Sequence, residues 1–263
     1  MSAPWFVPVG ERAEGRVRLY VFPNAGGGPA SLTELAAGFP PEVGVWAVNL
    51  PGRQARLAEP PLTDLHELVD LLARDLLATA RRPYALFGYC SGALLAYLVC
   101  RRLAELSPPP GPGAPPALGA PPGPERLLVG SFAAPDVALL LRRLPSLPSW
   151  LFWEQLIELG GVPAEVAGRE ALRPVLEPAL RADFGMLAGY RHHPGPPLPT
   201  PITVLYGKRD GSVSRGGLLG WRRQSVSRPS LRELDASHWL AEETPDRLAA
   251  VIAEEIGCAW ATA

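Results

Sequence analysis

The chain has 263 residues, enough for one large domain with a full core, and 25 lysines and arginines against 26 aspartates and glutamates leave a net charge of −1. That balance gives no electrostatic reason to bind nucleic acid or a membrane surface, and no apolar run approaches the roughly 20 residues a membrane-spanning helix needs. Cysteines at 90, 100 and 258 make no disulfide framework and fit a reducing compartment, so the expectation is a soluble, cytoplasmic monomer.

Segments of strand and helix character alternate almost from end to end, which predicts an α/β fold: a mostly parallel sheet covered by helices on both faces. Residues 16–22 (RVRLYVF) and 44–50 (GVWAVNL) read as the first strands. Between 63 and 80, Leu65, Leu68, Val69, Leu72 and Leu76 recur at helical spacing, with Thr63 as the expected cap. Residues 84–87 (YALF) form a short apolar strand, followed without a gap by helix formers from 93 to 103.

Between that strand and that helix stands Gly88-Tyr89-Cys90-Ser91-Gly92, a nucleophile-elbow pattern with cysteine at the centre. Glycines at 88 and 92 are needed because a side chain at either place would collide with the neighbouring strand or helix. The central residue is forced into a strained conformation that lifts its side chain to the head of the helix. There the helix dipole and free N–H groups favour the reactive thiolate. A structural cysteine and a metal ligand are the other readings of Cys90, but Cys100 and Cys258 show no ligand spacing with it, so no metal is expected.

Residues 107–124 are rich in proline and glycine and predict an extended surface loop, either a recognition segment or a tolerated insertion. A strand at 126–133 follows, and then the alternation breaks. Residues 145–190 are helical in pattern only, so a helical lid inserted at about 135–195 is expected, with Trp150, Phe152 and Trp153 forming a substrate chamber or a docking surface. Strands at 201–207 and 230–234 and a closing helix that starts at Thr244-Pro245 complete the chain.

A nucleophile needs a base, and the base needs an orienting carboxylate. His238 follows the last short strand, in the loop where the base belongs in the chain order nucleophile, acid, histidine. Asp210, just beyond a strand in a glycine-flanked turn, is the favoured acid; Asp235, three residues before His238, is its rival. Two N–H donors must face the developing oxyanion: Ser91, after the nucleophile, and Ala25, in the small-residue loop 22–28 (FPNAGGG). This glycine run matches neither a dinucleotide nor a phosphate loop, so no nucleotide cofactor is expected.

These residues resemble the stand-alone type II thioesterases of polyketide and nonribosomal peptide assembly lines, which are α/β-hydrolases. The resemblance rests on Phe22-Pro23-Asn24-Ala25-Gly26-Gly27, on Leu50-Pro51-Gly52-Arg53 with Glu59-Pro60-Pro61, on Arg181-Ala182-Asp183-Phe184 with Gly189-Tyr190-Arg191, and on the elbow. It implies an enzyme that removes acyl groups from the phosphopantetheine arm of a carrier protein, with Cys90, Asp210 and His238 as triad and Ala25 and Ser91 as oxyanion donors. It implies no bound cofactor and an acyl or peptidyl carrier protein as partner. Asn24 replaces the family's histidine beside the oxyanion loop, and the elbow reads Gly-Tyr-Cys-Ser-Gly where the family has Gly-His-Ser-Met-Gly. Asn24, Tyr89 and Trp239 are expected to border the substrate, while Arg53 and Arg56 are either contacts for an acidic carrier face or simply solvated surface charges. Acyl-cysteine stays an activated thioester, so the acceptor is water, a second carrier thiol or an amine, and a silent binding protein is the reading from another class.

Overall fold

Six-residue runs with no polar face make the central strands. β2 (Val17–Phe22) and β4 (Tyr84–Tyr89) are buried at every position, as strands covered on both faces must be. The computed structural model describes residues 3–10, 14–81, 83–107 and 123–260; the predicted loop at 107–124 and the side chain of Cys258 fall, apart from the loop's ends, outside them. Within the described residues one sheet runs in the order β1-β3-β2-β4-β5-β6-β7, where β1 is Phe6–Pro8, β3 Val43–Val48, β5 Arg126–Gly130, β6 Ile202–Gly207 and β7 Ser230–Leu234. All neighbours are parallel except β1, which pairs antiparallel with β3 through Phe6 and Val48.

The order reverses between β2 and β4, so their C-terminal ends flank the crevice where open α/β sheets bind ligands. Three-residue β1 ends in Pro8 at one edge. At the other, Arg232 of β7 bonds to Glu254 and Glu255.

Helices cover both faces. On one side lie α2 (Leu65–Thr79) and α3 (Ser91–Leu106); on the other, α1 (Thr33–Ala37) and the closing helix. Leu68, Leu72 and Leu76 of α2, four residues apart, are fully buried. Asp64, not Thr63, caps α2, because its carboxylate accepts from the N–H groups of both His66 and Glu67.

Between β5 and β6 the chain carries α4 (Ser149–Glu158), α5 (Ala164–Ala167) and α6 (Arg173–Gly189), with a small core of their own around Phe152, Trp153, Leu156, Leu180 and Phe184. Ala25, from the loop after β2, is part of that core. The remaining elements are α7 (Arg215–Gly220), α8 (Leu240–Glu243) and α9 (Pro245–Trp260). Thr244 precedes α9 as expected, but its hydroxyl donates back to the Leu240 carbonyl.

Candidate active site

Cys90, between β4 and α3, has φ +54° and ψ −124°, a region that residues with a side chain rarely occupy. Its N–H donates to the Gly130 carbonyl of β5, and its own carbonyl accepts from Ala93 in the first turn of α3. The two glycines make this turn possible. A Cβ on Gly88 would lie 2.2 Å from the Gly92 carbonyl oxygen, and one on Gly92 would lie 2.0 Å from that of Phe22. Main chain therefore packs on main chain, and the head of α3 abuts the end of β2.

His238 and Asp210 approach from loops after β7 and β6. A Cβ on Gly207 would lie 2.0 Å from the Ser237 carbonyl oxygen, so these loops touch through their backbones. The His238 Nδ1 is 3.1 Å from an Asp210 carboxylate oxygen, and the side chains are 20% and 2% exposed. Ser212 braces the pair: its N–H and hydroxyl both donate to Asp210 Oδ1, at 2.8 and 2.6 Å, and its Oγ lies 3.1 Å from His238 Nδ1. Burial works against charge on Asp210, but the bonds from His238 and Ser212 prevail and hold its carboxyl below the usual range.

Burial also opposes a proton on His238. The neighbouring Cys90 sulfur, through charge and a hydrogen bond, and Asp210 outweigh it and push the imidazole up to about 10. Behind the ring, the Ser131 hydroxyl donates to the His238 carbonyl at 2.9 Å, from a residue itself at φ +48°. Tyr89 lies under the imidazole, ring centres 6.2 Å apart, and its hydroxyl is 2.9 Å from Glu242 Oε2 and 3.2 Å from the His238 carbonyl.

Ser91 follows Cys90 at the first position of α3, and Ala25 lies on the loop after β2. Neither N–H donates to another described residue. The Ala25 loop is fixed from a distance: Gly26 N–H donates to Asp183 Oδ2 of α6 at 2.8 Å, and Arg53 grips both Asp183 oxygens at 2.6 and 2.8 Å. That ion pair is buried, 6% and 8% exposed.

A cavity of about 600 Å³ opens over Cys90. Ser91, Ser131, Asp210, Ser212, His238 and Trp239 line its base, while Phe132, residues 137–141, Leu159, Phe184 and Leu187 form its apolar walls.

Comparison with known proteins agrees with this architecture. The thioesterase domain family matches residues 17–256. The chain belongs to that family. Among curated proteins the thioesterase is similar to the gramicidin S biosynthesis protein GrsT of Aneurinibacillus migulanus, 30% identical over 91% of this chain and 89% of that protein. Among solved structures it is similar to the type II thioesterase BorB from the borrelidin biosynthetic cluster, 31% identical with a TM-score of 0.80 over 97% of this chain and 98% of that one. RedJ, a thioesterase from the prodiginine biosynthetic pathway in Streptomyces coelicolor, is 30% identical with a TM-score of 0.79, over 97% and 90% of the two chains. The fold is that of an α/β-hydrolase, and the resemblance seen in the sequence to type II thioesterases holds.

Several residues of the thioesterase stand elsewhere than expected. Trp150, Phe152 and Trp153 do lie on the inserted helices, Trp150 69% exposed on α4 and the other two in the core between α4 and α6, but none of the three lines the cavity over Cys90. Asn24 borders a separate 40 Å³ cavity behind the Ala25 loop, beside Arg53 and Asp183. Tyr89 is buried behind His238, and only Trp239 of the expected lining is on the cavity wall. Arg53 and Arg56 are buried too: Arg56 pairs with Glu59, bonds the Asn49 carbonyl and stacks on Trp5, so neither presents charge to a partner. Asp235, the rival acid, is exposed and pairs with Arg209.

Ser131, Ser212, Asp183 and Glu242 were not foreseen. Only Ser212 carried a local signal, since a serine two residues after an aspartate favours the side-chain-to-backbone turn seen here. Among the described residues no group of three histidine, cysteine or acidic side chains could hold a metal ion, and no helix is long and apolar enough to cross a membrane.

Proposed function

We propose that this thioesterase takes acyl groups from the phosphopantetheine thioester of an acyl or peptidyl carrier protein onto Cys90, and releases or transfers them during polyketide or nonribosomal peptide biosynthesis. The observation that carries this reading is the strained Cys90 at the head of α3, facing a His238 whose ring Asp210 holds. The similarity to GrsT, BorB and RedJ supports the carrier-bound substrate.

In the first step the Cys90 sulfur attacks the thioester carbonyl, whose oxygen takes hydrogen bonds from the Ala25 and Ser91 N–H groups. The carbon–sulfur bond to phosphopantetheine breaks, and protonated His238 delivers its proton to the departing thiolate. The imidazole is then neutral. It accepts the proton of the incoming water, thiol or amine as that acceptor attacks, and Cys90 leaves again as thiolate.

Cysteine favours transfer as a second reading. The enzyme-bound acyl group remains a thioester, so passage to a second carrier thiol is close to isoenergetic, whereas a serine ester would have lost the activation. The enzyme works as a monomer in the cytosol, where carrier proteins are loaded.

A carrier charged with a radiolabelled acyl group separates these outcomes. Label is expected on Cys90, and then on an added acceptor carrier or amine faster than in free acid. Free acid forming at one rate with and without acceptor would eliminate transfer, and no label on Cys90 would eliminate the covalent step.

A further inference from the structure

Ten large apolar side chains are exposed among the described residues, and four of them, Val137, Leu139, Leu141 and Leu159, line the single cavity over Cys90. Leu139 is 97% exposed. Phe184 and Leu187 of α6 continue this apolar surface inward, and the only carboxylate on the lining is Asp210, whose oxygens are taken by Ser212 and His238. A soluble protein leaves such a surface uncovered where a ligand is to cover it. A 600 Å³ site is also large for a two-carbon acyl group and falls within the ordinary range for ligands of drug size.

We infer that the acyl group this chamber accepts is a long, uncharged, apolar one, lying from Cys90 outward along the Val137–Leu141 segment and Leu159, and that aminoacyl groups are excluded. The inference rests on Cys90 as the acyl acceptor and names the substrate class of that site. The second half follows from position. An α-ammonium group sits on the carbon next to the carbonyl, hence beside Cys90, where the lining offers no free carboxylate to pair with it. An acyl chain has the opposite relation to the site: each methylene laid on the apolar wall leaves water, a gain of about fourfold in affinity per carbon.

The test separates this inference from the catalytic reading by using unreactive ligands. S-alkyl pantetheine thioethers, from ethyl through hexyl to dodecyl, are titrated into the full-length protein by calorimetry. Affinity is expected to rise about fourfold per methylene until the wall is covered, with a 2-aminohexyl thioether at least tenfold weaker than hexyl. Leu139→Asp, at a side chain free in solvent and remote from folding contacts, is expected to remove most of the gain for dodecyl and leave ethyl unchanged. A flat alkyl series, an aminohexyl ligand as tight as hexyl, or a Leu139→Asp protein that keeps the full gain would each overturn the inference. Intact mass after incubation with octanoyl-pantetheine reads Cys90 acylation separately; a steep alkyl series without adduct would uphold the chamber class and remove the covalent role.

Discussion

Replacing Asp183 by alanine removes one carboxylate that does two things: it neutralises the buried guanidinium of Arg53 and it holds the Gly26 N–H of the loop after β2. With both partners under a tenth exposed, loss of one leaves a buried charge uncompensated, at about 3–5 kcal/mol. The orphaned Gly26 N–H adds about 1 kcal/mol. The Arg53 Nε is already buried without an acceptor, and the guanidinium's remaining bond is a long one, from Nη1 to the Gly27 carbonyl at 3.4 Å. A total near 5 kcal/mol, at about 2–3 °C per kcal/mol for a domain of this size, lowers the melting temperature by roughly 10–15 °C. Urea unfolding compares this single variant with Arg53→Met/Asp183→Leu. The double variant is expected to recover most of the loss, because an apolar pair of similar volume has no charge to desolvate. Asp183→Ala should also slow Cys90 acylation by up to about a hundredfold, since Ala25 adjoins the freed Gly26. A destabilisation under about 1 kcal/mol, or a double variant no more stable than the single, would refute the reasoning.

Gly92→Ala puts a methyl group against the Phe22 carbonyl with only main chain to yield, and a loss of about 3 kcal/mol or more is expected from the urea midpoint. His238 should carry its charge through the neutral range and lose it near pH 10, as read from ring-carbon NMR shifts. Cys90→Ala, which removes the sulfur that favours the proton, should bring that midpoint down. Because the folded value lies above the unfolded 6.5, the stability this charge contributes is complete below about pH 6.5 and disappears as pH rises through 10. Tyr89 has one hydroxyl proton for two neighbouring oxygens, so both bonds are satisfied when Glu242 is protonated, the direction in which burial drives it. Glu242→Gln should therefore cost less than about 1 kcal/mol and Glu242→Ala about 2, by thermal unfolding. Iodoacetamide should label Cys90 and spare Cys100, whose thiol burial pushes up to about 12; intact mass and peptide mapping distinguish the two.

What could be seen in the sequence was what depends on near neighbours. The elbow is a five-residue event, and Gly88 and Gly92 announce a turn that only glycine permits. The parallel strands showed as apolar runs too short for helices. Asp210 and His238 were placed by following strand ends, and they do meet across the sheet. The rest depended on contacts that spacing does not encode. Arg53 and Asp183 lie 130 positions apart, and nothing in the spacing of the two segments that carry them joined the one to the other. Trp150, Phe152 and Trp153 are close enough that periodicity alone did not say which would turn inward, and α6 packing decided it. The cavity wall at residues 137–141 is irregular backbone, so no helical or strand period marked it. Three-residue β1 was simply too short to register.

The two borders of the sheet have a consequence for how the molecule behaves in concentrated solution. One border stops after three residues at a proline, which has no N–H to offer, and the other is tied to α9 by charged side chains. Neither invites a strand from a second molecule, so this route to aggregation is closed. What remains adhesive is the empty apolar rim around Leu139. Self-association, where it occurs, should therefore fade when an alkyl ligand fills that rim, which makes light scattering a measure of occupancy.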